Sequence, residues 1–247
     1  MTTEPTAGPA ALSVVLPAYN EEDMLGGTVR QLHRALGQLG LRAEIIIVDD
    51  GSRDRTGHEA DALAAELPGV SARHQANQGI GGAFRAGAEA ATGDYIMLWP
   101  ADMPAAAADV RPYAERLGAA DVIVGCRRRR AGYNPLMALN SWVYPRLVGL
   151  LFGLRLRDVN WIHAYRRAAF MRISLTQRGI PMLVEALVKL RDSGATFVEI
   201  DVEMRKRERG VASASRPIVM WRTLAGLLSF WIAWRVQPRP PRHTTSA

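Results

Sequence analysis

The feature that most constrains this chain is a short apolar run that ends in acidic residues. Glu44-Ile-Ile-Ile-Val48 is followed directly by Asp49-Asp50-Gly51-Ser52. An unbroken apolar run of this length predicts a strand that is buried on both faces, as strands of parallel sheets are. Parallel strands need long crossover connections, which are usually helical, so the neighbouring segments are expected to alternate between strand and helix.

The first half of the chain shows that alternation, because five apolar runs are separated by segments of helical spacing or small-residue composition. The predicted strands cover residues 12–18, 44–48, 70–74, 95–99 and 122–124. Asn20 or a neighbour is expected to cap the first helix, with the acidic residues that follow in its first turn. The pattern predicts an α/β fold with a Rossmann-like, mostly parallel sheet flanked by helices.

Polar side chains follow the predicted strands at the points where they end. They are Asn20, Glu21, Asp49, Asp50, Asn77 and Asp102. The carboxyl ends of parallel strands meet at one edge of the sheet, where open α/β folds bind their ligands. The sequence therefore predicts one cleft lined by these loops.

Several common kinds of site are excluded. Gly79-Ile80-Gly81-Gly82 begins like a dinucleotide-binding loop, but Phe84 stands where the third glycine is required. The chain also has no Walker A sequence, so dehydrogenase and kinase functions lose their main support. The single cysteine, Cys126, rules out a disulfide scaffold and a zinc cluster built from cysteines.

The two halves of the chain differ in charge. Residues 1–125 hold 9 arginines and 17 acidic residues, a net charge of −8, whereas residues 126–247 hold 22 basic and 7 acidic residues, a net charge of +15. An Arg-rich coding bias explains the preference for Arg over Lys, but it does not explain the asymmetry. The basic half predicts anionic partners, which include nucleic acid, phosphorylated ligands and anionic lipid.

The basic half also contains two long apolar segments, at residues 136–156 and 217–236. Only 12 uncharged residues separate Arg222 from Arg235, whereas a membrane span needs about 20. We interpret both segments as amphipathic interfacial helices that meet a membrane surface. The alternative is that they cover the sheet or form a dimer contact.

Three motifs of this chain resemble those of one known family. Val14-Val-Leu-Pro-Ala-Tyr-Asn-Glu-Glu22, Ile47-Val-Asp-Asp-Gly-Ser52 and Asn77-x-Gly79 resemble the motifs of the family 2 inverting glycosyltransferases, which have the GT-A fold. Within that family they are most similar to the dolichyl- or polyprenyl-phosphate mannose synthases. The resemblance covers about residues 12–210, and it is specific because the first two motifs occur together at this spacing.

The resemblance implies a nucleotide-sugar site. The loop from Pro17 to Glu21 and the carboxylate of Asp49 would hold the base and the ribose, since carboxylates accept hydrogen bonds from N–H and hydroxyl groups. Gly51 and Ser52 would let the backbone come close to the nucleotide. The implied donor-binding residues are Pro17, Tyr19, Asn20, Glu21, Asp49, Asp50, Gly51, Ser52, Asn77 and Gly79.

The resemblance also implies three catalytic residues. Gly125-Cys126-Arg127 resembles the family's Gly-Ser-Arg, and Arg207-x-x-Gly210 resembles its late Arg-x-x-Gly motif. Arg127 and Arg207 are therefore expected to contact phosphate. Asp102 stands at the second position of the family's D-x-D metal motif, and it is expected to orient the sugar hydroxyls or to hold a weakly bound ion.

The chain departs from the family at the metal and acceptor motifs. Pro100 replaces the first aspartate of D-x-D, so Mg²⁺ or Mn²⁺ is only weakly supported, with Asp102 as its one protein carboxylate. The stretch after Asp158 is one residue shorter than in the family and lacks its glycine, and the Ser-Lys expected after Gly210 is absent. His163, in this shortened stretch, is expected to be structural.

The expected organisation has four parts. They are a flexible N-terminus over residues 1–11, a glycosyltransferase domain over 12–210, an apolar interfacial helix over 211–236 and a disordered tail over 237–247. Within the domain, the nucleotide-sugar half would cover 12–125 and the acceptor half 126–210. The N-terminus lacks the features of a signal peptide, so a cytoplasmic location is expected, peripheral on the inner face of the cell membrane.

Three functions are compatible with these observations. The first is transfer of a hexose, with inversion, from a donor of the GDP-mannose or UDP-glucose type to polyprenyl phosphate or another lipid-linked acceptor at the membrane surface. The second is transfer to a small-molecule hydroxyl, with Asp102 as the base. The third is an inactive nucleotide-sugar-binding partner subunit. Nucleic acid is not an expected partner; the sugar, the base and the oligomeric state, a homodimer included, stay open.

Overall fold

The structure is a computed structural model that describes residues 11–103, 105–128, 135–203 and 217–236. The predictions made for residues 1–10, for Arg207, for the domain boundary at 210 and for the tail 237–247 lie outside the described residues.

Seven described strands form one sheet. They are β1 (Leu12–Ala18), β2 (Ala43–Asp49), β3 (Val70–His74), β4 (Tyr95–Leu98), β5 (Val122–Arg127), β6 (His163–Arg166) and β7 (Phe197–Val202). The strand order is β3-β2-β1-β4-β6-β5-β7. Among these strands, β6 is antiparallel to both neighbours and the other six are parallel to one another. The predicted mostly parallel α/β sheet is confirmed, and β6 is an element that the sequence did not predict.

Eight helices are described around this sheet. They are α1 (Leu25–Gln38), α2 (Thr56–Glu66), α3 (Gly79–Ala90), α4 (Ala107–Ala114), α5 (Pro135–Phe152), α6 (Arg167–Phe170), α7 (Pro181–Asp192) and α8 (Pro217–Val236). The first four follow β1 to β4 in turn, as the alternation in the sequence predicts. Helix α5 continues through Pro145, which lies inside it.

The helices lie on both faces of the sheet. Val14 and Leu16 point into one apolar cluster with α1, α2 and α4, whereas Val15 between them points into a second cluster with α3, α5, α7 and α8. This two-residue period is the one that a strand buried on both faces requires. Gly87 of α3 lies so close to β1 that a Cβ there would meet the Val15 side chain, so the helix packs directly on the strand. The three layers leave the strand ends exposed as the place for a site.

The start of α1 differs from the prediction. The helix begins at Leu25, its N-cap is Met24 without a side-chain cap, and its first turn contains no acidic residue. Asn20 has a φ of +54°, a left-handed conformation that Asn tolerates but that a helix N-cap does not use. The polar residues before α1 are therefore available to the loop at the strand edge rather than to the helix.

Helices α5 and α8 pack against each other and against the body. Phe152 of α5 stacks on Phe230 of α8 with ring centroids 5.1 Å apart, and the Trp231 indole donates to the Leu151 carbonyl at 2.9 Å. The Trp234 indole donates to Asp192 of α7 at 2.7 Å. One face of each apolar segment thus covers the core, as in the alternative interpretation in which these segments cover the sheet.

The described helices include none that is long and apolar enough to cross a bilayer.

Candidate active site

The loops after β1 and β2 are joined by hydrogen bonds. The Asn20 N–H donates to the Ser52 hydroxyl at 3.0 Å, and the Glu21 N–H donates to the Thr56 hydroxyl at 2.7 Å. In return, the Arg53 N–H donates to the Asn20 side-chain oxygen at 2.8 Å. The left-handed turn at Asn20 makes these contacts possible, so the two motifs form one surface at the carboxyl edge of the sheet.

Asp50 joins the third loop to this surface. It is 3% exposed, and its carboxylate accepts hydrogen bonds from the N–H groups of Gln78 and Gly79, each at 2.8 Å, and from the Gln75 side chain at 2.7 Å. Asn77 donates to the Asp50 carbonyl at 3.0 Å. Because these donors lie at the start of α3, Asp50 caps that helix from a neighbouring loop. Its buried position indicates that Asp50 fixes the conformation of the third loop rather than contacting a ligand directly.

Two glycines are required where these loops meet. Gly51 has a φ of +74°, and a Cβ there would lie 2.9 Å from the Asn77 nitrogen. Gly79 has a φ of +76°, and a Cβ there would lie 2.7 Å from the Arg178 carbonyl oxygen. Both positions combine a left-handed backbone with a close approach, so no other residue fits without strain.

Asp49 is the second carboxylate at this edge. Its Oδ1 accepts from the Ser52 N–H at 3.0 Å, and its Oδ2 lies 3.2 Å from Nδ1 of His74. Burial acts to raise the pKa of Asp49, but the hydrogen bonds from Ser52 and His74 outweigh it and hold the pKa below its usual value. Asp49 is therefore an ionised acceptor at neutral pH.

The ten residues predicted to bind the donor thus lie together at the ends of β1, β2 and β3, but they differ in their exposure and in what they contact. Asp50, Asn77 and Gly79 bind one another and shape the loops. Tyr19 is 43% exposed and Asn20 is also exposed, so they face solvent at the mouth. Asp49 is buried, and Pro17, Glu21, Gly51 and Ser52 are half-buried.

Asp102 follows β4 on a tight turn. The Met103 N–H donates to the Pro100 carbonyl at 3.2 Å, and the Trp99 indole donates to the Met103 carbonyl at 3.0 Å. Asp102 is half-buried on this turn. The described residues contain no group of three or more His, Cys, Asp or Glu side chains that could hold a metal ion. Asp102 therefore fits a divalent ion only if a donor diphosphate supplies most of its other ligands.

Arg127, at the end of β5, is bound to Asp158. Its Nε and Nη2 donate to the two carboxylate oxygens at 2.7 and 2.8 Å, and its guanidinium lies 4.7 Å from the Trp161 ring centroid. The two side chains are 8% and 2% exposed. Burial acts to raise the pKa of Asp158, but the hydrogen bonds and charge of Arg127 lower it below its usual value. The sequence placed Arg127 at the site but did not predict that Asp158 fixes it.

An open depression of about 350 Å³ lies beside this pair, at the carboxyl ends of β5 and β7. It is lined by Cys126, Arg127, Arg128, Arg157, Asp158 and Asp201. Arg157 contacts Asp201 at 2.8 Å and Glu199 at 3.3 Å. The three arginines of the depression offer planar donors to an anionic ligand, although each already has an acidic neighbour within ion-pair distance. Arg157 was not among the predicted site residues; its place beside Asp158 was the available signal.

Neither Cys126 nor His163 is in the protonation state that a nucleophile or a proton-donating group needs at neutral pH. Burial, and then the nearby Glu199, raise the pKa of the Cys126 thiol to about 12, so the thiolate that a nucleophile needs is absent. His163 is 1% exposed on β6, and burial lowers its pKa to about 4. It is therefore neutral at physiological pH, and its structural role stays a prediction.

Comparison with known proteins gives one family. Residues 13–179 match the model of glycosyl transferase family 2. The chain is 30% identical over 221 residues to the undecaprenyl-phosphate mannosyltransferase of Micrococcus luteus, covering 83% of this chain and 88% of that protein. It is 29% identical to the polyprenol monophosphomannose synthase of Mycolicibacterium smegmatis, covering 82% and 80%.

The fold also occurs in solved structures. Glucosyl-3-phosphoglycerate synthase from Mycobacterium tuberculosis, in complex with Mn²⁺, uridine diphosphate and phosphoglyceric acid, superposes with a TM-score of 0.68 at 20% identity, over 90% of this chain and 78% of that one. At this identity the likeness shows the GT-A fold alone.

Proposed function

This chain belongs to glycosyl transferase family 2 and is a glycosyltransferase, and we propose that it transfers a hexose from a nucleotide sugar to polyprenyl phosphate with inversion. The observation that carries the donor half of this proposal is the joined surface of three loops that contains the ionised, largely buried carboxylate of Asp49. The acceptor half is supported by relatives that are named for sugar transfer to polyprenyl phosphates.

The proposed reaction is a single displacement. An oxygen of the acceptor phosphate forms a bond to the anomeric carbon while the bond from that carbon to the diphosphate breaks, and the nucleoside diphosphate leaves with the electron pair. The attacking phosphate is already anionic at neutral pH, so it needs little help from a base. What the reaction requires is positive charge, because two anions approach each other and the departing diphosphate gains further negative charge.

Arg127 is the described residue best placed for that charge. Asp158 and the Trp161 ring hold its guanidinium in one orientation at the rim of the depression, so it needs no reorganisation when a phosphate enters. Asp102 would orient the sugar hydroxyls, and it is the residue that would hold a divalent ion together with the donor diphosphate. That ion would stabilise negative charge on the leaving diphosphate.

The acceptor is proposed to arrive from a membrane surface. On α5, Trp142, Val143 and Leu150 are exposed on the face opposite the buried Tyr144, Val148 and Phe152. On α8, Trp221, Leu228, Ile232 and Val236 form a second exposed apolar stripe. Arg146 and Arg235 lie over the Trp142 and Trp231 rings, with guanidinium carbons 3.7 and 5.0 Å from the ring centroids. Apolar stripes flanked by arginines are typical of helices that lie in a lipid interface.

Replacing two residues of this stripe tests the membrane contact. Trp221→Ser/Ile232→Ser should weaken sedimentation with anionic liposomes at least tenfold, since each side chain contributes about 1.5–3 kcal/mol when buried in lipid. Both are more than half exposed, so the fold should persist. Met171→Ser, an exposed apolar residue after α6, is the matched control. Deletion of α8 is a poorer test because it removes Leu227 and Phe230 from the core. Undiminished sedimentation of the double variant would contradict the contact.

A further expected result concerns the divalent ion. Pro100 replaces the first aspartate of the family's metal motif, so the protein supplies one carboxylate instead of two to a divalent ion. Turnover should therefore depend little on the ion and persist to a substantial degree in EDTA. Pro100→Asp should increase the response of turnover to Mn²⁺ or Mg²⁺. Initial rates with and without chelator measure both effects. Complete loss of turnover in EDTA, restored by Mn²⁺ in the unmodified protein, would show that the arginines and Asp102 do not suffice without the ion.

One experiment tests the proposed function as a whole. Nucleotide sugars are screened for thermal stabilisation of the protein, and the best donor is then assayed for nucleotide release with and without polyprenyl phosphate. The proposal expects release that depends on the polyprenyl phosphate. Release that instead needs a small-molecule hydroxyl favours the soluble-acceptor enzyme, and binding without any transfer favours an inactive nucleotide-sugar-binding subunit.

A further inference from the structure

His74, the last residue of β3, lies between two carboxylates. Its Nδ1 is 3.2 Å from Oδ2 of Asp49 at the end of β2, and its Nε2 is 2.9 Å from Oδ1 of Asp61 on α2. Neither the resemblance nor the comparisons assign a role to this histidine. It contacts the one carboxylate that the proposed function places against the nucleotide.

The geometry fixes the protonation state of the ring. A carboxylate only accepts hydrogen bonds, and a neutral imidazole has a single N–H. Both contacts are therefore hydrogen bonds only when the ring is an imidazolium with two N–H donors. In agreement, the hydrogen bond to Asp61 and then that to Asp49 raise the pKa of His74 above its usual value.

The surroundings keep the three groups together. The charged groups that face the ring are Asp49 from β2 and Asp61 from α2, and β3 is the edge strand of the sheet. A Cβ at Gly57 would lie 2.9 Å from Oδ2 of Asp49 and 3.5 Å from the His74 ring, so glycine lets the first turn of α2 close over the pair. The Asp49 side chain is 10% exposed, whereas that of Asp61 is 66% exposed.

We propose that His74 is a positioning residue for the donor: as an imidazolium shared by Asp49 and Asp61, it fixes the Asp49 carboxylate in the orientation that accepts a hydrogen bond from the nucleotide. This inference rests on the proposed function, because it takes Asp49 as a donor-binding residue. Oδ1 is held by the Ser52 N–H and Oδ2 by His74, so rotation of the carboxylate is prevented on both sides.

The arrangement makes donor affinity depend on pH. When the ring loses a proton, one nitrogen presents a lone pair to a carboxylate, and that contact becomes repulsive. Asp49 and Asp61 then compete for the remaining N–H, and the orientation of Asp49 is no longer fixed. Because the pKa of His74 is raised in the folded protein, the effect is fully present below about pH 6.5 and is lost as the pH rises through the raised value.

The test measures the dissociation constant of a nucleotide sugar by calorimetry between about pH 6 and about pH 8.5. A nucleotide sugar is the right probe because, unlike a free nucleoside diphosphate, its phosphates do not titrate in this range. The unmodified protein should lose about tenfold in affinity across the range, the size expected for one hydrogen bond to a charged group. His74→Gln should bind weakly at every pH, with no step.

Two further variants separate positioning from a merely structural role. Asp61→Asn leaves the Asp49 side chain unchanged, but it removes the carboxylate whose hydrogen bond contributes most to raising the pKa of His74. It should therefore keep the affinity at low pH and lose most of the step, because a neutral ring can keep its N–H on Nδ1 for Asp49 when no second carboxylate competes for it. His58→Gln, an exposed histidine on the same helix, should keep the step unchanged. An NMR titration without any donor present should show that the pKa of the His74 ring is lower in Asp61→Asn than in the unmodified protein.

The possible failures are distinguishable. If the nucleotide sugar binds and either His74→Gln or Asp61→Asn retains the full step, the inference is overturned while the proposed function stands. If no nucleotide sugar binds the unmodified protein at any pH, the proposed function fails and this inference fails with it.

Discussion

Arg127→Met is expected to lower the free energy of unfolding by about 3–5 kcal/mol at neutral pH and to abolish turnover. The substitution leaves the Asp158 carboxylate buried without its charged partner, and breaking a buried pair on one side costs about this much. Both side chains are nearly inaccessible, so solvent screens little of the loss. Urea unfolding followed by fluorescence measures the difference.

The double variant Arg127→Met/Asp158→Asn is the matched control for the charge. It removes the unpaired carboxylate as well, so it should recover a large part of the lost stability without recovering turnover. If the double variant is as unstable as the single one, the loss comes from packing against Trp161 rather than from the unpaired charge.

The pH dependence of the same variant has a definite sign. The pKa of Asp158 is depressed in the folded protein, so its contribution to stability is present above the unfolded pKa of about 4 and is lost as the pH falls through the folded value. In Arg127→Met burial acts on Asp158 without the opposing arginine and raises its pKa above the unfolded value, so the cost of the buried charge is relieved as the pH falls through that raised value. The difference in stability between the unmodified protein and Arg127→Met should therefore shrink as the pH is lowered from about 7 toward 4. A difference that stays constant over that range would show that the ion pair is not its source.

The elements of the first half could be predicted because local patterns decide them. The run from Ile45 to Val48 is a buried strand wherever it is placed in a parallel sheet, and the acidic residues after it lie at the sheet edge. The donor motifs are predictable for the same reason, since each is a short stretch that follows one strand. What the pattern could not give was the different contacts of the two adjacent, chemically alike carboxylates: Asp50 binds the start of α3, whereas Asp49 binds Ser52 and His74.

The second half was less predictable because its structure depends on long-range contacts. Strand β6 has four residues, and one of them is the histidine His163; it pairs between β4 and β5 through hydrogen bonds that no local period reveals. The pair of Arg127 with Asp158 joins residues 31 positions apart. Helices α5 and α8 are apolar on both sides, so the composition alone could not separate the face that covers the core from the face that is exposed.

Asp50→Ala is expected to lower donor affinity by about a hundredfold or more although Asp50 faces away from the mouth. The substitution removes the acceptor of three hydrogen bonds and leaves the N–H groups of Gln78 and Gly79 without it at the start of α3. Hydrogen bonds to a charged group contribute about 1.5–3 kcal/mol each, so the loop that carries Asn77 should lose its fixed conformation. Calorimetry with a nucleotide sugar measures the affinity, and urea unfolding measures the accompanying loss of stability.

Asp121→Ala is the control variant that distinguishes a disordered donor-binding loop from a general loss of stability. Asp121 also accepts three hydrogen bonds, two from Thr196 and one from Arg166, but it lies at the amino end of β5, on the opposite edge of the sheet. It should lose stability to a comparable extent and keep its donor affinity. Equal losses of donor affinity in both variants would mean that affinity follows global stability. If Asp50→Ala binds the donor as tightly as the unmodified protein does, Asp50 does not organise the site. A selective loss in Asp50→Ala would instead establish that the second aspartate of the motif supports donor binding through the third loop, whose backbone its carboxylate holds.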